Sequence, residues 1–421
     1  MAGSMPSGSA TSTTDAQQKT QLLPFLIMTA LFFLWGLLTV LNDIWVPFLK
    51  DKFELSHTQA GLIQTCFFLA YFLVSPFASK IIDLVGYQKG IVTGLIITAL
   101  GCFMFFPSGI VNVYIVYLVT FFVLASGITI LQVAANPYVT ALGSEKTSAS
   151  RLNLAQSANS LGTTVGPIFG GLFIAVAAGA LLTGILGGVL ILVAGLFAFI
   201  IKLPRIKSVE ANSKKESGLW KNKQLILGAV AIFLYVGGEV AIGTWLTDYI
   251  MVLNNYSLDT ASKYISYYWG GALIGRVIGA VLMNYIKETK YLAVNSLLAI
   301  IMILVSINSE SVYMLILPWC PVSLQGAEWF TSGNLAMVSM LSVGLFNSIM
   351  FPTIFALAVR GLGGQTSQGS GLVCQAIVGG AVIQQVQAFA ADVSSLQISF
   401  LVPMLCYVYI GWYALRGADQ S

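Results

Sequence analysis

Residues 202–224, KLPRIKSVEANSKKESGLWKNKQ, form the one long hydrophilic stretch in the interior of this chain, and long apolar stretches lie on both sides of it. Of the 421 residues, 57% are hydrophobic and only 9% are charged, whereas a soluble domain has about 25% charged residues. Most of the protein surface therefore cannot face water. The composition predicts a membrane protein that residues 202–224 divide into two halves.

The apolar stretches have the length of membrane-spanning helices. One helix needs about 20 apolar residues to cross a hydrocarbon core about 30 Å thick, whereas strands of an outer-membrane barrel have about 10 residues of alternating polarity. We therefore predict an all-α membrane protein with a disordered cytoplasmic tail at 1–22, a six-helix half at 23–201, a cytoplasmic linker at 202–224 and a second six-helix half at 225–416. The twelve transmembrane helices are expected near residues 23–47, 59–79, 90–107, 112–140, 151–177, 180–201, 225–252, 262–285, 291–308, 334–358, 369–390 and 397–415.

The basic residues indicate how these helices are oriented. With both termini in the cytoplasm, the tails and even-numbered loops hold sixteen of the 20 Lys and Arg residues, the opposite side holds three, and Arg276 falls inside helix 8. Because cytoplasmic loops are enriched in Lys and Arg, we expect a multi-pass protein of the bacterial inner membrane with both termini cytoplasmic. The segment 309–333 is apolar but broken by Pro318 and Pro321, and we interpret it as an outer loop that dips into the interface.

Several classes of function lack their sequence motifs. The chain has no G-x-x-x-x-G-K-[ST] phosphate loop, no H-E-x-x-H or G-x-S-x-G sequence and no cluster of Cys and His residues. We therefore expect neither an ATP-driven pump nor a membrane hydrolase, and no cofactor or metal. The five cysteines lie mostly in apolar stretches, where they are expected to pack as small residues. Most basic residues belong to membrane loops, so we expect contact with lipid and no nucleic-acid partner.

Three charged residues stand out at depth inside the predicted helices. A charge in the hydrocarbon core costs at least about 2.5–3.5 kcal/mol, so such residues are paired or functional. Glu239 in helix 7 and Arg276 in helix 8 lie at similar depths near mid-membrane, and Asp43 lies in helix 1 closer to the outer boundary. Because burial disfavours a charged carboxylate, Asp43 and Glu239 are candidate proton-coupling residues and Arg276 is a candidate charge partner. The alternatives are a static ion pair between Glu239 and Arg276, and an Asp43 that only lines an outer vestibule.

Amide side chains form a second group of candidates. Each amide supplies both a donor and an acceptor, which suits reversible binding of a polyhydroxylated ligand, and aromatic rings can stack on a sugar ring. The candidate sugar-binding residues are Asn42, Gln132, Asn136, Gln156, Asn159, Asn347 and Trp245. The alternatives are hydrogen bonds between helices for the amides and places in the interfacial aromatic belt for the rings.

A faint internal repeat supports two related halves. The stretch LQVAANPYVTALG (131–143) parallels FNSIMFPTIFALAVRGLG (346–363), and Pro137 and Pro352 occupy equivalent positions in the two stretches. Parallel repeats of this kind relate the two six-helix halves of major facilitator transporters, about an axis along the membrane normal. The repeat therefore predicts two halves of similar structure.

One loop resembles a motif of that superfamily. The segment DLVGYQKG between helices 2 and 3 places Asp83, Gly86 and Lys89 in the order of the superfamily's Asp-x-x-Gly-x-x-basic loop. In that superfamily the loop helps to gate conformational change on the cytoplasmic side. The resemblance implies that Asp83, Gly86 and Lys89 form a gating loop.

Five longer stretches resemble the fucose–galactose–glucose:proton symporter family of the major facilitator superfamily. They recur in order over nearly the whole chain and are FFLWGLLTVLND (32–43), ASGITILQVAANPYV (125–139), SRLNLAQSANSLGTTVGPIFGG (150–171), FLYVGGEVAIG (233–243) and LFNSIMFPTIFALA (345–358). The resemblance is closest to the bacterial glucose/galactose transporter branch. It implies the major facilitator fold, with two pseudo-symmetric six-helix halves, and uptake of a sugar together with protons.

The resemblance also implies roles for individual residues. In the related L-fucose:proton symporter, an Asp in helix 1 and a Glu in helix 4 handle the sugar and the proton. Asp43 matches the first position, but the second is Gln132, which cannot take up a proton. Glutamine at this position and a helix 7 glutamate, here Glu239, are features of the glucose/galactose branch. Gln156 and Asn159 match sugar-contacting amides of helix 5.

The sequence thus predicts a monomeric transporter, rather than an enzyme, that takes up a hexose by proton-coupled alternating access, with glucose or galactose as the favoured substrate. The open alternatives are coupling to Na⁺ or to no ion, transport of L-fucose or an N-acetylated sugar, and a membrane sugar sensor that does not transport. Relatives usually have Pro and Gly near Gln384 and Ala388. We therefore expect helix 11 to be straighter and stiffer in this chain, with an effect on gating.

Overall fold

The fold is that of a helical membrane protein. The structure is a computed structural model that describes residues 21–55, 57–174, 179–204, 218–321, 323, 325, 327 and 329–418. Within these ranges, the structure describes the backbone but not the side chains at 40–44, 46–48, 51, 57–58, 60–61, 166–174, 179–182, 258–259 and 262. Most of the predicted tail and linker, residues 1–20 and 205–217, lies outside the described residues.

The first half contains six helices close to the predicted positions. Their bounds are Leu22–Lys52, His57–Val85, Tyr87–Val111, Tyr114–Ala141, Ser148–Ile174 and Gly179–Gly195, and the last continues into a π-helical turn at Leu196–Ile200. Helix 3 packs on helices 4 and 6, helix 2 packs on helix 4, and helix 1 packs on helix 5.

The second half repeats this plan with three interrupted helices. Helices 7, 8 and 9 are Lys223–Asn254, Leu258–Leu282 and Glu288–Ile307. Helix 10 is Ser332–Asn347 with Met350–Val359, helix 11 is Thr366–Gln375 with Gly379–Val393, and helix 12 is Leu396–Ser399 with Leu401–Trp412. Eleven spans within the described residues are long and apolar enough to cross a membrane, and helix 5, with 27 residues, is the twelfth. The protein is therefore an all-α membrane protein of twelve transmembrane helices.

The loops between helices 4 and 5, 8 and 9, and 10 and 11 lie at one end of the bundle. Arg360, which follows helix 10, forms an ion pair of 2.6 Å with Glu288 at the start of helix 9. The same side chain lies 3.8 Å from Glu145, between helices 4 and 5. We call this side, which also carries the loop between helices 2 and 3, the even-loop end. A further span within 309–333 would place Arg360 at the opposite end, and the helix found there, Ser309–Ile316, has 8 residues and is too short to cross a membrane.

The two halves meet toward the even-loop end. Helix 5 packs on helices 8 and 10, and the first segment of helix 11 packs on helices 2 and 4. The Ser150 hydroxyl donates to the Ala280 carbonyl oxygen at 2.6 Å. On the other side of this contact, helices 2 and 11 border an open groove of about 550 Å³ whose lining includes Thr65 and Phe389. The described contacts therefore hold the halves together at the even-loop end.

Helix 11 is continuous across its unusual residues. The segment Gly379–Val393, which contains Gln384 and Ala388, is an unbroken α-helix, and the greater stiffness expected there stays a prediction. The interruption lies earlier, where Ala376–Val378 forms a 3₁₀ turn. Gln384 accepts a hydrogen bond of 3.3 Å from the Thr244 hydroxyl of helix 7, so this part of helix 11 is held to its own half.

Candidate functional site

Glu239 lies near the middle of helix 7, among aromatic hydroxyls. Its Oε1 atom is buried and has no hydrogen-bond partner. The Tyr235 hydroxyl, one helical turn earlier, is also buried and makes no close hydrogen bond, and its nearest hydrogen-bonding neighbour is the Glu239 carboxylate. From helix 8, the Tyr268 hydroxyl donates to the Glu239 carbonyl oxygen at 3.3 Å. The carboxylate predicted from depth alone therefore lies in a polar environment enclosed by protein.

Helices 10 and 12 complete this environment. Asn347 of helix 10 donates through Nδ2 to the Tyr268 hydroxyl at 2.6 Å, and its Oδ1 is buried without a partner. Tyr407 of helix 12 has a buried, unpaired hydroxyl and interacts electrostatically with Glu239. We call Tyr235, Glu239, Tyr268, Asn347 and Tyr407 the carboxylate cluster. Tyr235 and Glu239 interact as a hydrogen-bonding pair, and so do Asn347 and Tyr407, although no close hydrogen bond reaches these buried atoms. Because incomplete hydrogen bonding of buried polar atoms is costly, the cluster is suited to bind a proton or a small polar guest.

Arg276 lies beside this cluster but bonds elsewhere. Its Nε donates to the Ser348 carbonyl oxygen of helix 10 at 2.9 Å, and Nη1 donates to the Ser160 hydroxyl of helix 5, in the other half. Arg276 and Glu239 attract each other electrostatically. No ion pair of 4.0 Å or less joins these two residues, both of which the structure describes. The alternative of a static ion pair between Glu239 and Arg276 is therefore not found in this conformation.

The candidate amides of the first half have different environments. Gln132 donates to the Tyr71 hydroxyl at 2.6 Å, and both residues are buried. Asn159 donates to the Phe32 carbonyl oxygen of helix 1 at 3.2 Å, a contact between helices. Asn136 is fully buried, and neither polar atom of its side chain has a partner. Gln156 is buried on helix 5.

Three candidates remain: Asn42, Asp43 and Trp245. Asn42 and Asp43 belong to helix 1, but their side chains lie outside the described residues, so the predictions for them stay predictions. Trp245, on helix 7 beyond Glu239, is half-buried, and its Nε1 is buried without a partner. An indole N–H in that state is available to a ligand acceptor.

The predicted gating loop contacts the other half. Asp83 at the end of helix 2 accepts hydrogen bonds from the Ser367 hydroxyl and from Gln368 Nε2 at 3.1 Å, both on helix 11. Gly86 has a φ of +84°, a conformation that glycine adopts without strain. Lys89 is exposed in the first turn of helix 3. The loop therefore lies where separation of the halves would break its contacts.

The sequence analysis did not identify the residues of helix 11 that face the first half. These are Ser367, Gln368, Ser370 and Gln375. The sequence TSQGSGLVCQ (366–375) could have indicated these contacts, because its hydroxyl and amide residues interrupt an otherwise apolar span. Among the residues that the structure describes, no group of three or more His, Cys, Asp or Glu side chains could hold a metal ion.

Comparisons with known proteins agree with this architecture. The profile of the Major Facilitator Superfamily matches residues 23–383. The glucose/galactose transporter of Brucella abortus biovar 1 is 43% identical to this chain over 100% of both chains. The L-fucose-proton symporter of Escherichia coli K12 is 29% identical over 94% of this chain and 94% of its own.

A solved structure shows the same fold. The crystal structure of FucP, a transporter of the same superfamily solved in the outward conformation, superposes with a TM-score of 0.80 at 28% identity, over 95% of this chain and 99% of its own. The two six-helix halves and their pseudo-symmetry are therefore those of the major facilitator fold. The chain belongs to the Major Facilitator Superfamily.

Proposed function

We propose that this protein takes up a hexose, glucose or galactose, together with protons by alternating access. The observation that carries the proposal is the similarity, along the whole of both chains, to a protein named as a glucose/galactose transporter. The similarity to an L-fucose-proton symporter supports protons as the coupling ion. Glu239, whose Oε1 atom is buried without a close hydrogen bond, gives this chain a group that can take up a proton.

The proposed orientation places the even-loop end in the cytoplasm. Sixteen of the Lys and Arg residues belong to that side, as expected for cytoplasmic loops, and both termini lie there in a bacterial inner membrane. Because the described contacts join the halves at that end, the conformation faces outward. The superposed FucP structure was solved in an outward conformation, which supports this assignment. We further propose that the protein acts as a monomer and that residues 202–224 connect the two halves.

Protons are proposed to act through Asp43, Glu239 or both. A carboxylate that takes up a proton loses its charge, and the cost of moving it through a closed, desolvated state falls accordingly. Each charge that moves inward also releases about 2.3 kcal/mol per 100 mV of membrane potential, which can drive uphill sugar uptake. Arg276, close enough to attract Glu239, is the proposed charge partner.

The sugar is proposed to bind between the halves. Asn42, Gln132, Gln156, Asn159 and Asn347 are the proposed ligands of its hydroxyl groups, with Asn136 and Trp245 as further candidates. In the outward conformation one N–H of the Asn159 amide serves a helix contact, so its oxygen and its second N–H remain for a sugar. Asp83, Gly86 and Lys89 are proposed to form the cytoplasmic gate through the contacts of Asp83 with helix 11.

Replacing Tyr71 by Phe will weaken hexose binding. The Tyr71 hydroxyl fixes the Gln132 amide through a bond of 2.6 Å, and loss of such a bond is worth about 1 kcal/mol. We expect the KM for the hexose to rise about fivefold while kcat changes by less than about twofold. Tyr249→Phe is the matched control because it removes a buried hydrogen bond to Ser306 in the second half. An equal rise in KM for both variants would contradict a role for Gln132 in sugar binding.

Counterflow in proteoliposomes tests the substrate. Vesicles loaded with unlabelled glucose, galactose, L-fucose or N-acetylglucosamine are diluted into labelled glucose, and transient uptake of label is followed. We expect counterflow from glucose-loaded and galactose-loaded vesicles only. Counterflow driven by L-fucose or the N-acetylated sugar would show that the substrate is not limited to glucose and galactose. Sugar binding without any counterflow would indicate a sensor.

A further inference from the structure

Three prolines inside transmembrane helices leave backbone carbonyl groups without their usual partner. Proline has no N–H, so the carbonyl four residues earlier loses its hydrogen bond within the helix. Pro76 in helix 2 frees the carbonyl of Phe72, and Pro137 in helix 4 frees that of Val133. A freed carbonyl inside a membrane must find another donor, commonly a side chain of a neighbouring helix.

In this structure both donors come from helix 11, in the other half. The Ser370 hydroxyl donates to the Val133 carbonyl oxygen at 2.9 Å in a fully buried contact. Gln375 Nε2 donates to the Phe72 carbonyl oxygen at 3.1 Å. The first segment of helix 11 thus contacts two proline-freed carbonyls on two helices of the first half, and the 3₁₀ turn at Ala376–Val378 follows directly.

The second half contains a related arrangement at the equivalent proline. Pro352 in helix 10, which matches Pro137 in the internal repeat, frees the carbonyl of Ser348. That carbonyl accepts the 2.9 Å hydrogen bond from Arg276 Nε, and the same guanidinium donates to Ser160 in the first half. Each equivalent proline therefore supplies an acceptor where the halves meet. The acceptors are backbone atoms, so the interaction depends on the proline and not on the side chain at the accepting residue.

We propose that the proline-freed carbonyls of Phe72 and Val133 are the acceptors to which helix 11 binds when the even-loop end closes, and that Ser370 and Gln375 are positioning residues of this gate. The inference rests on the proposed alternating access but not on the identity of the sugar or the coupling ion. When the halves separate at the even-loop end, both hydrogen bonds break and the buried Val133 carbonyl becomes accessible to water, as the exposed Phe72 contact already is, which lowers the cost of opening.

A cysteine of the chain provides the measurement. Cys374 lies on the first segment of helix 11 and is fully buried, so a water-soluble maleimide reaches it only when helix 11 moves away from helices 2 and 4. The other four cysteines, Cys66, Cys102, Cys320 and Cys406, are replaced by alanine. Labelling rates are then measured on the full chain in detergent without sugar, so that failure of the sugar proposal does not affect the result.

Ser370 and Pro137 are tested as a double-mutant cycle. We expect Ser370→Ala to label about fivefold faster than the parent, as follows from loss of one buried hydrogen bond, and Ser370→Thr to restore slow labelling. In a Pro137→Ala background the N–H of residue 137 occupies the Val133 carbonyl from within helix 4, so Ser370→Ala should add less than about twofold. Ser296→Ala, which removes a hydroxyl bonded only within helix 9, is the control and should label like the parent.

Two results would overturn the proposal. One is a Ser370→Ala labelling rate equal to that of the parent. The other is an equal increase in the two backgrounds, which would mean that Ser370 acts through packing or through its contact with Cys374 and not through the freed carbonyl. If Pro137→Ala does not fold, the same cycle with Pro76→Ala and Gln375→Leu tests the Phe72 carbonyl, with the same expected non-additivity.

Discussion

Replacing Glu239 by Gln will abolish hexose accumulation and leave exchange of labelled hexose intact. Glutamine has nearly the shape of a protonated glutamate but carries no exchangeable charge, so the transporter can change conformation with sugar without moving a proton. The ratio of internal to external hexose should fall to about 1 under an imposed pH gradient. The loss is large because sugar uptake is no longer coupled to the pH gradient or to the membrane potential. The membrane potential alone supplies about 2.3 kcal/mol for each charge per 100 mV.

Asp248→Asn is the matched control for this prediction. Asp248 lies on the same helix 7 but is exposed, so its neutralisation should leave accumulation unchanged. Uphill uptake by the Glu239→Gln variant at the parent level would remove Glu239 from the coupling mechanism and leave Asp43 as the candidate. Loss of exchange as well as accumulation would indicate a role in sugar binding or folding.

Replacing Gly371 by Val will reduce hexose uptake by about tenfold or more. Gly371 lies on the face of helix 11 that meets helix 2, where an added Cβ would lie 2.8 Å from Ser79 Cβ and 3.0 Å from the Ser75 carbonyl oxygen. Overpacking of this kind costs about 1–3 kcal/mol. The cost falls on the state in which the even-loop end is closed, so the outward-facing population should drop in proportion.

Gly411→Ala controls for replacement of a transmembrane glycine as such. At Gly411 an added Cβ would meet Ser296 Cβ at 3.6 Å, an ordinary contact, so uptake and thermal stability should change little. Initial rates of labelled hexose uptake and the melting temperature in detergent are measured for both variants. Parent-level uptake by Gly371→Val would show that the close approach of helices 2 and 11 is not needed for transport.

The sequence predicted most of the architecture because membrane helices follow from composition and length. Twelve transmembrane helices were predicted and twelve are found, and the interpretation of 309–333 as a non-spanning segment agrees with the ion pairs of Arg360. Glu239 could be identified because a charge at mid-membrane depth is costly and therefore rare. Each of these inferences needs only the composition and length of one segment of the sequence.

The partners of these residues could not be predicted, because they depend on contacts between distant segments. The depth of Arg276 suggested that Glu239 is its partner, yet the Arg276 guanidinium donates hydrogen bonds to Ser348 and Ser160. The Ser348 carbonyl became an acceptor only because Pro352 follows four residues later, and the sequence alone does not show which donor lies nearby. For the same reason the hydrogen bond from Ser370 to the Val133 carbonyl was not foreseen, although Pro137 was identified as part of the repeat.

The most direct test of proton-coupled hexose uptake is the accumulation of labelled glucose and galactose in proteoliposomes under an inward pH gradient, with and without Na⁺ and a protonophore. We predict accumulation above the external concentration that the protonophore abolishes and that Na⁺ does not change. Accumulation that requires Na⁺, or equilibration that the pH gradient does not drive beyond the external concentration, would contradict proton coupling.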